Sequence, residues 1–259
     1  MWSETIGYRE YRHPYLKRFF RGVAEMIPLT GKEDLLDLGC GAGEVALGFA
    51  PFVATLTGMD GEQAMLEEAS KRARTMGRTI KSIHCKVDDA PPDLGRFHLI
   101  TMGRAHWFMH TPVCLARIDQ WLAPGGYILV CAPRQNAETA EWRKVYDTTR
   151  HKWAKWAATK HPELIELSEK RQLAANQFFQ GTKFEPWRKV GARGQRTLEL
   201  EHLIKRALGS PSTTRAVLGA ETDRMIVELR SAMAPFFQNG PVTENHVTAG
   251  VIFRRRKDS

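Results

Sequence analysis

The stretch from Asp34 to Asp60, DLLDLGCGAGEVALGFAPFVATLTGMD, constrains what this chain can fold into more than any other. Leu35, Leu36 and Leu38 form a short apolar run, and Gly39, Gly41 and Gly43 interrupt it where a buried parallel strand would hand over to a helix. Glycine at alternate positions lets the backbone turn sharply and brings its N–H groups close to a ligand that any Cβ would push away. Asp60 closes a second apolar run, Ala54 to Met59. In a doubly wound sheet the ends of adjacent strands lie side by side at the ligand crevice. Asp60 is therefore expected beside the glycine loop, its carboxylate accepting two hydrogen bonds from a ribose diol.

The spacing discriminates between cofactors. A dinucleotide fingerprint needs G-x-G-x-x-G, and here Glu44 occupies the third slot counted from Gly39, a carboxylate where a pyrophosphate should sit. Asp37 inside the motif and the G-x-G-x-G rhythm suit a cofactor with a positive sulfonium and an α-amino group. The segment DLGCGAG resembles the first motif of the class I S-adenosylmethionine-dependent methyltransferases. Three further segments carry the resemblance. Asp88 and Asp89 follow an expected third strand, Ile80 to Val87; FHLITM, the fourth strand, runs directly into GRAHWF; WLAPGGYILV is similar to the leucine-x-proline-glycine-glycine turn before the fifth strand, Tyr127 to Ala132. Together they span Asp34 to Ala132. The earlier YREYRHPY, with a helix after Pro14, is similar to the start of a small-molecule branch that includes the trans-aconitate methyltransferases, where it forms part of a lid over the cofactor.

The resemblance implies an α/β fold: a doubly wound, Rossmann-like, seven-stranded and mostly parallel sheet, its last strand inserted antiparallel between the fifth and sixth. Residues 1–133 would hold the N-terminal helix and cofactor-binding core, 134–190 a helical cap insertion, and 191–259 the rest of the sheet. The implied cofactor is S-adenosylmethionine. Its candidate ligands are Asp37, Gly39, Cys40, Gly41, Gly43, Asp60, Gly61, Met65, Asp88, Asp89, Gly103 and Tyr11. Met65 either covers an adenine face or is a core methionine. Asp88 aligns better than Asp89 with the acidic partner of the adenine amino group, the alternative being a turn-capping aspartate before proline. Tyr8, Tyr11 and Tyr15 either line the lid or pack their helix onto the sheet.

Substrate candidates are Tyr8, Arg12, Arg104, Trp107 and Arg134. His106 has two readings. It is a proton acceptor just past a strand end, with an unperturbed pKa of about 6.5, or a packed orienting residue hydrogen-bonded to backbone. The glutamine or serine usual before the H-W-F segment is missing, and Gly103 and Arg104 stand there instead, which leaves the substrate class open. No N/D-P-P-Y/F box follows the fourth strand, against an amino-methyltransferase acting on DNA or protein glutamine.

At 259 residues, with 42% hydrophobic and 26% charged, the chain can build a sizeable core. No apolar run approaches the roughly 20 residues that cross a bilayer, and the start MWSETIGYREYRH lacks an apolar signal core, so a cytoplasmic location is expected and no membrane partner. Four scattered cysteines with no C-x-x-C pair or histidine cluster indicate neither disulfides nor metal. The net charge of +9 could attract nucleic acid, an anionic membrane or a small acidic substrate, and charge alone does not choose; part of it lies in an expected C-terminal tail, Arg254, Arg255, Arg256 and Lys257, and the rest punctuates helices as solvated faces. Trp142, Tyr146, Thr149, Trp153 and Trp156 share one side of an expected helix interleaved with Arg143, Lys144, Arg150, Lys152 and Lys155. That pattern reads as a base-stacking face or as the buried stripe of a cap helix.

A second helical piece is expected over Pro162 to Phe179, with Phe178, Phe179, Phe184 and Trp187 closing a pocket wall. Arg196 to Leu200 reads as a strand, Glu201 to Leu208 and Glu221 to Phe237 as helices, and Val247 to Phe253 as a terminal strand. The leading expectation is methylation of a small molecule, at oxygen. Methylation of RNA or another macromolecule, N-methylation of a small amine, and a non-catalytic cofactor-binding scaffold are the alternatives.

Overall fold

The computed structural model describes residues 7, 8, 10–135 and 140–256. Seven strands are formed: β1 (Asp34–Leu38), β2 (Thr55–Asp60), β3 (Lys81–His84), β4 (Phe97–Gly103), β5 (Leu122–Gln135), β6 (Phe184–Leu198) and β7 (Val242–Arg255). They make one sheet in the order β3-β2-β1-β4-β5-β7-β6. The pairings of β1 with β2 and β4, of β2 with β3 and of β4 with β5 are parallel. As expected, the last strand lies between the fifth and sixth.

The chain divides into two compact units, and the division differs from the three segments expected. One unit comprises 15–133, 171–192 and 248–259; the other comprises 1–14, 134–170 and 193–247. A single cap insertion was expected at 134–190, but the second unit draws its elements from three parts of the sequence, because its apolar helix faces complete one core between them.

In the first unit the sheet is covered on both faces, as the strand period of two dictates. Leu35, Leu56, Leu99 and Leu129 pack with Phe19, Phe20 and Val23 of α1 (Lys17–Met26) and Val45 and Phe49 of α2 (Glu44–Phe49). Leu36, Leu38, Ile100, Met102, Ile128 and Val130 pack with Cys114, Ile118 and Trp121 of α4 (Pro112–Trp121). Helix α3 (Gln63–Thr75) crosses between β2 and β3. Thr111 caps α4 by accepting from the Cys114 N–H at 3.0 Å, and Pro112 sits where its missing N–H costs nothing. Phe178, Phe179 and Phe184 do not wall a pocket; they are core residues packed with Phe253. Arg254 and Arg255 are no free tail either, since both lie in β7, paired with Glu185 and Asp119. Lys257 is outside the described residues.

The second unit is built on α5 (Glu141–Lys160), α6 (Glu163–Lys170), α8 (Leu200–Leu208), α9 (Arg215–Leu218) and α10 (Thr222–Met233); the four-residue α7 (Ala175–Phe178) belongs to the first. The aromatic stripe of α5 is the face of this core. Trp142, Tyr146 and Trp153 are buried among Leu203, Ile204, Leu229 and Met233. The Tyr146 hydroxyl donates to the Leu203 carbonyl and the Trp153 indole to Glu228, each at 3.1 Å. These rings are consumed by packing rather than presented to bases.

Three strands exceed expectation, β5 among them, since it runs from Leu122 to Gln135 through the expected proline-glycine-glycine turn. β6 carries Pro186, Gly191 and Gly194, residues that speak against a strand interior, but it is the edge of the sheet, where a missing ladder donor is tolerated. β7 begins at Val242 and turns its polar set inward: Glu244, His246 and Thr248 are buried, while Val247 and Ala249 are half-buried. Glu244 organises the second unit. It accepts from Arg143 at 2.8 Å, from Arg196 at 2.8 Å and from Arg206 through two nitrogens at 2.7 and 3.0 Å, with His13 at 3.4 Å. Burial alone would raise its pKa. Hydrogen bonds from His13 and Arg206 and the Arg206 charge outweigh that and hold the carboxyl far below the usual range.

A depressed folded-state pKa contributes stability that is present above the unfolded value, about 4, and lost as the pH falls below it. Glu244→Gln, which leaves two buried guanidinium groups and the half-buried one of Arg196 around a neutral amide, is expected to cost about 3–5 kcal/mol in urea unfolding at neutral pH. The gap to the wild type should narrow below about pH 4. A variant as stable as the wild type would show that the cluster is not a stability hub.

Candidate functional site

The site at the end of β1 is built from the backbone outward. Asp37 is buried beneath the loop, 1% exposed. One of its oxygens accepts the Thr101 hydroxyl of β4 at 2.7 Å and the other the Ala46 N–H in α2 at 3.1 Å. It thus ties two strands and the helix that follows the loop. Gly39, Gly41 and Gly43 all have positive φ, 63°, 54° and 78°. A Cβ at Gly39 would lie 2.7 Å from that of Ala105, so the segment after β4 packs directly on the loop. A Cβ at Gly41 would meet nothing within 4 Å: the loop faces open space there. Cys40 is buried, its N–H donating to the Met59 carbonyl at 3.0 Å, and burial pushes its thiol pKa well up.

Asp60 lies beside the loop, where the sequence puts it. Its two oxygens accept the Gly41 N–H at 2.8 Å and the Glu62 N–H at 3.0 Å, and it remains half-exposed. Asp37 is fully desolvated and Asp60 partly so. Burial raises Asp37 to about 7 against the hydrogen bonds from Thr101 and Ala46, with the charges of Asp60 and Glu44 adding to the rise. Burial likewise raises Asp60 against the Gly41 and Glu62 amides. A pair of destabilised carboxylates beside an open backbone loop favours a ligand that brings positive charge.

Other candidates fall into two groups. In the same unit, Met65 is buried in α3, Gly61 is exposed, and Asp88 and Asp89 lie exposed in a 3-10 turn, Asp88 accepting the Thr111 hydroxyl at 2.6 Å. Gly103 has no room for a side chain, since a Cβ would stand 2.4 Å from Val45 and 2.8 Å from the Tyr15 hydroxyl. His106 is buried, with Nε2 donating to the Leu173 carbonyl at 2.8 Å and the ring edge-on to Trp107 and Phe178. The Trp107 indole N–H is buried without an acceptor among the described residues.

Tyr8, Tyr11, Arg12 and Arg134 belong to the other unit. Tyr11 is bound to α8: its carbonyl accepts from His202 and Arg206, and its hydroxyl from Lys205. Arg12 donates to the Gly209 carbonyl at 3.2 Å, a Cβ at Gly209 would touch that of Tyr8, and Arg134 is exposed. Sequence reasoning passed over Thr101, whose signal is a hydroxyl inside an otherwise apolar strand, and the environment of Glu44, which lies 3.8 Å from Arg72 and 3.9 Å from Arg104.

The fold is a Rossmann-like methyltransferase fold. Residues 35–126 match the family described as a methyltransferase domain. The chain is 26% identical over 180 residues to a ubiquinone biosynthesis O-methyltransferase of Thiobacillus denitrificans, covering 66% of this chain and 76% of that one. A solved structure from Anaeromyxobacter dehalogenans matches with a TM-score of 0.64 at 18% identity, over 94% of this chain and 97% of that one. A methyltransferase of Thiobacillus denitrificans, solved in complex with S-adenosyl-L-homocysteine, matches with a TM-score of 0.52 at 18% identity, over 98% and 97%. No helix among the described residues is long and apolar enough to cross a membrane.

The raised pKa of Asp37 has a sign that can be measured. Its contribution to stability is complete below the unfolded value and is lost as the pH rises toward about 7. Asp37→Asn, which cannot ionise, removes this slope. The stability of the unliganded wild type relative to the variant is therefore expected to fall between about pH 4 and about pH 7, followed by urea unfolding at several pH values. Parallel curves would mean that Asp37 ionises in the folded state as easily as in water.

Proposed function

We propose that this methyltransferase binds S-adenosylmethionine at the 39–43 loop and methylates an oxygen of a small anionic molecule, with a carboxylate as the favoured acceptor. The observation that carries the cofactor reading is the pair Asp37 and Asp60, a fully and a partly desolvated carboxylate around an open left-handed glycine turn. S-adenosylmethionine supplies an activated methyl group on a positive sulfonium that leaves as a neutral thioether. The chain supplies the rest: Gly41 gives close backbone approach, Asp60 retains acceptor capacity for a sugar diol, and the segment from Gly103 to Trp107 borders the loop through Ala105. Proximity and alignment are what such a transfer chiefly needs from the protein.

Two features support the acceptor class. The base candidate, His106, has Nε2 committed to the Leu173 carbonyl, which leaves Nδ1 as its basic nitrogen, and a carboxylate acceptor, already ionised at neutral pH, needs no base at all. The aromatic stripe of α5 is spent on internal packing and Arg143 on Glu244, while Lys144, Lys152 and Lys155 stay exposed, and rings committed to a core speak against base stacking by this helix. The O-methyltransferase named among the relatives agrees with transfer to oxygen.

The experiment incubates the protein with methyl-labelled S-adenosylmethionine, a deproteinised metabolite extract and, separately, RNA. Label released as methanol on alkaline treatment is expected from the extract, the signature of a methyl ester. Label in RNA, or alkali-stable label alone, overturns the carboxylate reading. For the cofactor, Asp60→Ala is expected to weaken S-adenosylhomocysteine binding by about 10-fold or more in calorimetry. Unchanged affinity would remove Asp60 from the site.

A further inference from the structure

Arg104 is the one non-glycine residue with positive φ among those described, at 58°. An arginine there carries a backbone cost that surrounding structure must impose. The Arg104 N–H donates to the Cys131 carbonyl at 3.1 Å, which fixes the turn, and Ala105 is wedged against Gly39. The side chain is thereby aimed to lie over the ring of Tyr15, its guanidinium carbon 5.4 Å from the ring centroid. Its one charged neighbour is Glu44, at 3.9 Å, beyond hydrogen-bond length. The guanidinium donates no hydrogen bond among the described residues, yet its side chain is only 26% exposed.

An internal ion pair would explain a half-buried arginine if it closed. This one does not close, and Glu44 is shared with Arg72, whose guanidinium also holds the Ala42 carbonyl of the loop. Two arginines thus share one carboxylate at the edge of the glycine turn. The planar fork of a guanidinium matches a carboxylate through two parallel N–H bonds. The same segment touches Gly39, two residues from the open face at Gly41.

We propose that Arg104, held in a left-handed turn over Tyr15, is the residue that binds a ligand carboxylate at this site. This rests on the methyltransferase reading above and deepens it. The carboxylate has two sources, the amino-acid part of the cofactor and the acceptor, and both present the same chemistry to the guanidinium.

The test uses the full chain and two variants, Arg104→Asn, since asparagine tolerates positive φ, and Arg104→Lys, which keeps the charge but not the fork. Thermal melting checks that each remains folded. In the first arm, calorimetry compares S-adenosylhomocysteine with its decarboxylated analogue. The wild type is expected to prefer the carboxylated form by about 10-fold or more, with the preference abolished in Arg104→Asn and partly kept in Arg104→Lys. In the second arm, citrate is titrated into protein saturated with S-adenosylhomocysteine; binding that is lost in Arg104→Asn assigns the carboxylate to the acceptor. Either arm supports the proposal and names the source. If wild-type and Arg104→Asn proteins discriminate carboxylates equally in both arms, the proposal is overturned. Failure of the wild type to bind S-adenosylhomocysteine at all would instead count against the cofactor reading.

Discussion

One buried carboxylate sets the geometry of the cofactor-loop unit. Asp37 is placed inward by the alternation of β1, and its oxygens are taken by the Thr101 hydroxyl and the Ala46 amide. The first bond fixes β1 against β4 on the side chain as well as the ladder. The second supplies a partner to one of the amides that a helix leaves unsatisfied in its first turn. Between these anchor points the chain must pass from strand to helix in five residues, Gly39 to Gly43. Three left-handed glycines do it, and the middle one is left facing open space. An apolar residue at 37 could fill the volume but would release both donors, whose desolvation would then be uncompensated.

The second unit uses the opposite solution to burying charge. Asp37 has two neutral partners and its pKa rises; Glu244 has three guanidinium partners and its pKa falls. Burial acts upward on both, so the difference lies in the charge of the partners. Such a cluster is weak evidence for net stability, because desolvating four charged groups consumes most of the Coulombic gain. What it does provide is uniqueness. Arg143 on α5, Arg196 on β6 and Arg206 on α8 can meet one carboxylate in only one arrangement of those elements.

How much of this was legible in the sequence follows from the range of the interactions. The glycine loop, its flanking aspartates and the order of the first five strands were legible because each is written in a few consecutive residues with a local steric meaning. The inward polar face of β7 was not. Alternation of Val247, Ala249 and Val251 with His246, Thr248 and Gly250 announces a strand, but which set turns inward depends on Arg143, Arg196 and Arg206, up to about a hundred residues away in the chain. β6 was hidden for a related reason: its proline and glycines are acceptable only at a sheet edge, and edge position is a property of the whole sheet. Phe178, Phe179 and Phe184 looked like a pocket wall because aromatic composition alone does not distinguish a lining from a core. Asp60 was legible in position, while its bond to the Gly41 amide was not, since that required knowing how far the loop folds back.

The electrostatics of the loop also bear on the direction of a methyl-transfer cycle. With Asp37 and Asp60 both raised, the empty site resists holding two negative charges. A ligand bearing a sulfonium would relieve that resistance, and its product, a neutral thioether, would relieve it less by one unit of charge. The protein surroundings would therefore favour the methyl donor over the demethylated product by whatever part of that charge the two carboxylates feel. Conversion of donor to product removes the attraction in the same step that completes the chemistry. Arg104 sits on the other side of this balance: a guanidinium near the loop opposes a cation, and its presence is compatible with a sulfonium ligand only if a negative group on a ligand, or Glu44, stands between them. Glu44 lies 3.9 Å away and is shared with Arg72, so a carboxylate brought by a ligand would complete the alternation of charge around the turn.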